Sequence, residues 1–162
     1  MTCRRPCLLL LTATLGAADP LAGSWVLREA VDLSPVIEAA TQDMNFLTRP
    51  IARKRLRNLN PAYGRVTLAQ GPQGWSIAFD TRAPLVLPVD GRAVAWTRED
   101  GERFQVSGRQ EGTRLVQHFR GQDGERTNTF ERDRAGGLTL AVEVRSTKLP
   151  RPLTYTLRYV TR

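Results

Sequence analysis

The sequence holds only two cysteines and one histidine, and each scarcity excludes a class of site. Cys3 and Cys7 both fall in an N-terminal segment that we expect to be removed, so the folded protein would have neither disulfides nor thiol chemistry. His118 has no second histidine to join it, and zinc sites need several His or Cys ligands, so we expect no metal and no other cofactor.

Long apolar runs are also missing after the N-terminal segment. Residues 8–15 are apolar but fall short of the roughly 20 residues that cross a bilayer. Arg4 and Arg5 precede this run, and Gly16, Ala17 and Ala18 follow it, which is the pattern of a signal peptide. We therefore predict a signal peptide over residues 1–18, and a single secreted or periplasmic domain over residues 19–162.

The charge is strongly basic, with a formal net charge of +8. A basic surface favours anionic partners, and an exported protein meets membranes and envelope polymers more often than nucleic acid. We therefore expect no nucleic-acid partner. The sequence has no Gly-x-Ser-x-Gly motif and no phosphate-binding glycine loop, so we do not expect an enzyme.

From Tyr63 onward, apolar and polar residues alternate between short turn motifs such as Asp90-Gly91 and Asp123-Gly124. Asp-Gly pairs supply the positive φ angles of tight hairpins, and consecutive hairpins favour an up-and-down meander. The predicted strands are 24–29, 63–70, 74–80, 84–89, 92–98, 102–108, 113–120, 125–132, 137–146 and 152–161. The fold class is therefore all-β, a ten-stranded antiparallel up-and-down barrel.

Two local details sharpen this prediction. A two-residue turn at Asp100-Gly101 would set Trp96 opposite Gln105, whereas a bulged three-residue loop sets it opposite Phe104, so we predict the bulged loop. Pro84 and Pro88 cannot donate ladder hydrogen bonds, so strand 84–89 should lie at an edge or gap.

A helical spacing replaces the alternation between the first two strands. Ile37, Ala40, Met44, Leu47 and Ile51 recur at three- and four-residue steps, which is typical of an amphipathic helix. We predict a first helix capped by Ser34 and ending near Thr48 or Arg49, because Pro50 interrupts the pattern. A second helix follows over residues 49–58, and the pair forms a helix-turn-helix lid.

Gly23-Ser24-Trp25 resembles the Gly-x-Trp signature of the calycin superfamily. Ten strands with a helical hairpin after the first resemble the fatty-acid-binding-protein layout more than the eight-stranded lipocalin layout. The resemblance implies that Trp25 plugs one end of the barrel under a basic residue from the last strand, here Arg158 or Arg162. The order Arg158-Tyr159 departs from the inward Arg-x-Tyr of fatty-acid-binding proteins, which places the usual carboxylate clamp in doubt.

A ten-stranded barrel is wider than side chains easily fill, so we expect a cavity that binds an apolar ligand. Arg126, Gln117 and Asn128 share the inward parity, and Arg126 would either meet a ligand carboxylate or reach solvent at the rim. His118 should point outward. The apolar lining would comprise the inward set Ile77, Phe79, Trp96, Phe104, Phe119, Phe130, Leu140, Tyr155 and Leu157, although each could be plain core.

The second helix is dense in basic residues, namely Arg49, Arg53, Lys54, Arg55 and Arg57. They would either dock the lid on anionic lipid headgroups or form an ordinary solvated face. The leading hypothesis is a monomeric carrier or scavenger of a lipid-like molecule in the cell envelope. A filled barrel that acts through its surface as an inhibitor, adaptor or envelope-assembly protein is the alternative, and a barrel enzyme is a weaker one.

Overall fold

The computed structural model describes residues 19–161, which form ten strands and two helices. The predicted signal peptide with its two cysteines, and Arg162, lie outside the described residues. The strands are β1 (Gly23–Leu27), β2 (Arg65–Gly71), β3 (Gly74–Phe79), β4 (Leu85–Pro88), β5 (Val94–Thr97), β6 (Arg103–Glu111), β7 (Arg114–Arg120), β8 (Gly124–Arg132), β9 (Leu138–Ser146) and β10 (Leu153–Thr161). The helices are α1 (Ser34–Thr41) and α2 (Arg49–Leu59).

All ten strands belong to one antiparallel sheet in the order β4-β3-β2-β1-β10-β9-β8-β7-β6-β5. The pairing of β1 with β10, which sets Trp25 opposite Thr161, joins the two ends of the chain. Alternate residues point inward, as in β10, where Leu153, Tyr155, Leu157 and Tyr159 are all buried. The sheet is therefore a nearly closed up-and-down barrel with both helices between the first two strands, as predicted.

The barrel is left open only between β4 and β5, the two ends of the strand order. This confirms the edge position predicted for the proline-containing strand. Side chains close the seam, because Leu87 of β4 reaches across to Gly108 of β6. A Cβ atom on Gly108 would lie only 2.5 Å from Leu87 Cδ1, so glycine is what permits this approach.

The hairpin between β5 and β6 contains the predicted bulged three-residue loop. Trp96 pairs with Phe104, and the N–H of Arg98 donates to the carbonyl of Glu102 at 2.9 Å. Gly101 adopts a φ of 86°, which a residue with a side chain rarely tolerates. The loop thus keeps two aromatic side chains on the inner face of the barrel.

The helices depart from the prediction at their ends. α1 stops at Thr41 instead of reaching Thr48, because Asn45 Oδ1 accepts the N–H groups of Leu47 and Thr48 and starts a separate turn. Ser34 is not the cap either. Its N–H donates to Asp32 Oδ1 at 2.9 Å, and this bond holds the pKa of Asp32 below its ordinary value. The prediction of a longer first helix from apolar spacing is therefore wrong.

Trp25 plugs the end of the barrel opposite the helices, as the resemblance implied, with 1% of its surface exposed. Its Nε1–H donates to the carbonyl of Leu21 at 3.1 Å. The basic residue over its ring is Arg132 at the end of β8, with Cζ 5.2 Å from the ring centroid. Arg158 is exposed on the outer face of β10, so its assignment to Trp25 is wrong. The resemblance implied a basic residue from the last strand, whereas here the contact is made by β8.

Candidate functional site

A cavity of about 720 Å³ lies between the lid helices and the barrel core. This volume is within the range of small-molecule pockets, about 300–1,000 Å³. Phe79, Trp96 and Phe104 point inward yet are only half-buried, because one side of each ring faces the cavity. The part of the barrel nearer the lid is therefore hollow.

Two aromatic groups line the wall of the cavity. Trp96 lies 5.5 Å from Phe119 and 5.8 Å from Phe104, measured between ring centroids, in edge-on or tilted contacts. In the second group, the ring centroids of Phe79 and Tyr63 lie 4.5 Å apart. Such tilted aromatic pairs are favourable and hold one another in place. The walls are thus apolar and preorganised without filling the space between them.

A polar group lies within this apolar wall and consists of Gln117, Asn128, Arg126, Asn60 and Tyr155. Asn128 Nδ2 donates to Gln117 Oε1 at 2.9 Å, and Arg126 Nε donates to Asn128 Oδ1 at 2.8 Å. Arg126 also donates to Asn60 Oδ1 at 3.2 Å and to the Tyr155 hydroxyl at 3.4 Å. Arg126 therefore reaches into the barrel and does not simply extend to solvent at its rim.

The guanidinium of Arg126 has only neutral partners. Among residues 19–161, no carboxylate makes an ion pair with it. Burial is the largest influence on the Tyr155 hydroxyl and raises its pKa, so Tyr155 stays neutral as well. An arginine keeps its positive charge in proteins, and Arg126 is half-buried without a counter-ion, which is less favourable than pairing with an anion. The cavity therefore offers a site for an anion.

The mouth of the cavity is bordered by α2 and by the loops that follow β3 and β5. Arg55 Nη2 of α2 lies 3.4 Å from Glu102 Oε2, and Arg82 Nε lies 3.6 Å from Glu99 Oε1. These ion pairs link α2 and the loop after β3 to the loop after β5. Arg98 lies 2.8 Å from Asp100 and holds the pKa of that carboxyl down to about 2. These pairs are partly exposed, so each contributes modestly and weakens with salt.

Two of the basic residues predicted to dock the lid bond within the lid instead. Arg49 donates to the carbonyls of Met44 and Gln42, and Arg53 pairs with Glu38 and donates to Thr41 Oγ1. The bonds of Arg53 join α2 to α1, and those of Arg49 join α2 to the turn between the helices. They leave only part of the predicted basic face free for other contacts.

The outer side of the lid combines exposed apolar and basic residues. Phe46 and Leu47 are 79% and 68% exposed in the turn before α2, and the side chains of Lys54 and Arg57 are exposed on α2. Ile51 is 70% exposed but lines the mouth of the cavity. The apolar spacing that predicted a buried helix face here belongs in fact to a solvent-facing surface. Within residues 19–161, neither helix is long and apolar enough to cross a membrane.

The predicted lining residues divide between the cavity wall and the core. The wall includes Ile77, Phe79, Trp96, Phe104, Gln117, Phe119, Arg126 and Asn128. Phe130, Leu140 and Leu157 lie in the filled part of the core, beside Trp25 and Leu21. Tyr155 touches the site through its hydroxyl. His118 points outward and lies 3.3 Å from Glu125, and the described residues contain no cluster that could hold a metal.

Sequence reasoning missed Tyr63 and Asn60. Tyr63 stacks on Phe79, and its backbone carbonyl accepts the Tyr159 hydroxyl at 3.0 Å. Asn60 is 5% exposed at the end of α2. The sequence signal at this position is Pro61, which predicts the end of a helix but not the burial of Asn60.

No protein-family model and no curated protein matches the sequence. Solved structures do match it. The REP1-NXSQ fatty acid transporter is 16% identical with a TM-score of 0.56, over 88% of this chain and 96% of that one. Human cRBP IV is 15% identical with a TM-score of 0.55, over 88% and 98%. Apo lipid binding protein 8 of Caenorhabditis elegans is 10% identical with a TM-score of 0.56, over 91% and 99%. These matches establish that the fold resembles that of fatty-acid-binding, calycin-type barrels.

Proposed function

We propose that this protein binds an amphiphile with an apolar chain and one anionic head, such as a fatty acid, inside its barrel. The observation that carries the proposal is the guanidinium of Arg126, which faces an apolar cavity of about 720 Å³ with neutral partners only. The head would pair with Arg126, and the chain would lie between the two aromatic groups. The similar structures include a fatty acid transporter and a lipid binding protein, which supports this ligand class.

The proposed setting is the periplasm or the extracellular space, where the protein would act as a carrier or scavenger. The predicted signal peptide supports export. The alternative of a filled barrel that acts through its surface finds less support, because it requires the interior to be solid. A fatty acid in an aqueous envelope needs a carrier, since the free energy of exposing its chain to water rises by about 0.8 kcal/mol per methylene.

The test compares hexadecanoate with hexadecanol, which have the same chain and differ in charge. A hydrogen bond to a charged group contributes about 1.5–3 kcal/mol, so wild-type protein should prefer the acid by about 10–100-fold in a calorimetric titration. Arg126→Gln should bind both ligands alike. The matched control, Arg158→Gln on the outer face, should keep the preference. The proposal fails if wild-type protein binds neither ligand, or if Arg126→Gln keeps the preference for the acid.

We further propose that the lid collects or delivers the ligand at anionic membranes. Phe46 and Leu47, in the turn before α2, expose large apolar side chains that no other described residue covers, and Lys54 and Arg57 are exposed on α2 itself. Each basic residue near an anionic bilayer contributes about 1 kcal/mol, and apolar side chains can insert at the headgroup boundary. The cavity mouth lies along the same helix, so docking would bring it to the lipid.

Flotation with phosphatidylglycerol and phosphatidylcholine vesicles tests this docking. Wild-type protein should float with the anionic vesicles at low salt, and Lys54→Gln with Arg57→Gln should weaken binding about tenfold or more. Phe46→Ser with Leu47→Ser should also abolish flotation. The control is Val89→Ser, because Val89 is 80% exposed in the turn after β4, at the opposite end of the barrel. Equal flotation of all variants would overturn the proposal.

A further inference from the structure

We propose that Asn60 is a positioning residue that couples the anion site at Arg126 to the lid helix α2. The inference rests on the proposed function, since it concerns how the head group of that ligand is recognised. It predicts that an anionic head stabilises the lid through Asn60, beyond any effect of the apolar chain.

Asn60 belongs both to the end of α2 and to the anion site. Its backbone N–H and its side-chain Nδ2 both donate to the carbonyl of Leu56, at 3.0 and 2.9 Å, and so close the last turn of α2. Its Oδ1 accepts from Arg126 Nη1 at 3.2 Å. The side chain is therefore fixed by the helix on one side and holds the guanidinium on the other.

The other contacts of Arg126 come from the barrel itself. Asn128 on β8 accepts from Nε, and Tyr155 on β10 accepts from Nη2. Asn60 is the one hydrogen-bond partner of Arg126, within residues 19–161, that belongs to the lid. Since a guanidinium has five N–H groups, these three bonds leave two for an incoming anion. The anion site is thus complete only while α2 ends where it does.

Coupling between anion binding at Arg126 and docking of the end of α2 follows from thermodynamic linkage. If the docked end of α2 orients Arg126 for the anion, the anion binds the docked state more tightly and shifts the protein toward it. A neutral ligand with the same chain lacks this differential affinity. It contacts the inner face of α2 but draws no extra stability from the bond between Asn60 and Arg126.

Hydrogen exchange over Arg49–Leu59 measures the coupling, with hexadecanoate and hexadecanol at saturating concentration. In wild-type protein the acid should slow exchange of the α2 amides about tenfold more than the alcohol does, as expected for coupling of about 1.4 kcal/mol. Asn60→Ala should abolish this difference while the alcohol still binds. If Asn60 only capped the helix, the variant would speed exchange equally with both ligands and keep the difference, which would overturn the inference.

A second variant guards against misfolding of Asn60→Ala. Asn60→Asp keeps the shape and places a carboxylate beside Arg126, so it should act as an internal anion. It should weaken binding of the acid about tenfold or more and leave binding of the alcohol unchanged. Exchange of α2 is not a readout for this variant, because a carboxylate cannot donate to the Leu56 carbonyl. Unchanged acid affinity in Asn60→Asp would contradict the coupling. Failure of wild-type protein to bind either ligand would instead remove the proposed function itself.

Discussion

Replacing Gly108 with alanine should destabilise the barrel by about 1–3 kcal/mol, although alanine usually stabilises a strand relative to glycine. The new Cβ would lie 2.5 Å from Leu87 Cδ1 and 3.0 Å from Leu87 Cβ, so Leu87 would have to move. Leu87 is 1% exposed and closes the seam between β4 and β6. The clash therefore falls on a buried contact that bridges the gap in the strand order.

Gly71→Ala is the matched control. A Cβ there would meet only the carbonyl of Gly74, at 4.0 Å, and Gly71 does not have a positive φ. It should stabilise the protein by about 0.4–1 kcal/mol through the unfolded state. Both free energies are measured by urea denaturation, with the m-value checked for constancy.

Leu87→Ala supplies the decisive comparison. Alone it should cost about 2–5 kcal/mol, because it leaves a cavity at the seam. Combined with Gly108→Ala it should cost at least about 1 kcal/mol less than the sum of the two single changes, since it removes Cδ1, the atom that would lie nearest to the new Cβ. Additive effects, or a Gly108→Ala variant as stable as wild type, would refute the packing described for the seam.

Two further predictions concern charged residues. Arg132→Gln should lower the unfolding free energy by about 1 kcal/mol in urea denaturation, since it removes the cation over Trp25. Arg158→Gln should change it by less than about 0.5 kcal/mol. Equal effects of the two variants would refute the assignment of Arg132 to Trp25. The pKa of Asp100 lies near 2 in the folded protein and near 4 when unfolded, so its stabilisation is present above pH 4 and is lost as the pH falls toward 2. Asp100→Asn should therefore flatten that part of the pH profile of stability, by less than about 1 kcal/mol given its exposure.

Strand order and hairpin geometry were predictable because they depend on local patterns. Alternation sets which face is buried, and the bulged loop at Gly101 followed from asking which register keeps Trp96 opposite Phe104. The edge position of β4 followed from its prolines. Each inference used residues that are close in sequence, and each was confirmed.

The lid was harder to predict, because helical spacing does not say what the apolar face covers. Leu47 continued the periodicity of Ile37, yet it faces solvent, because the Asn45 side chain starts a new turn between the helices. Apolar periodicity indicates burial only when some other element is available to cover that face. Here the uncovered face became a candidate membrane surface.

Contacts between segments that are distant in the sequence could not be predicted from the sequence. Arg132 covers Trp25 from a strand far along the chain, and Asn60 meets Arg126 across the cavity. Parity placed Arg126 inward but left its partners unknown, and those partners decide whether its charge is already neutralised. The anion site is therefore a property of the folded structure that no single segment predicts.

The most direct test of a hollow, anion-binding barrel is a crystal structure of the protein grown with saturating hexadecanoate. We predict one ligand in the cavity, with its chain between the Phe79 and Trp96 walls and a carboxylate oxygen within about 3.2 Å of an Arg126 nitrogen. An interior closed by side chains, or a ligand bound outside the barrel with Arg126 left unpaired, would contradict the account.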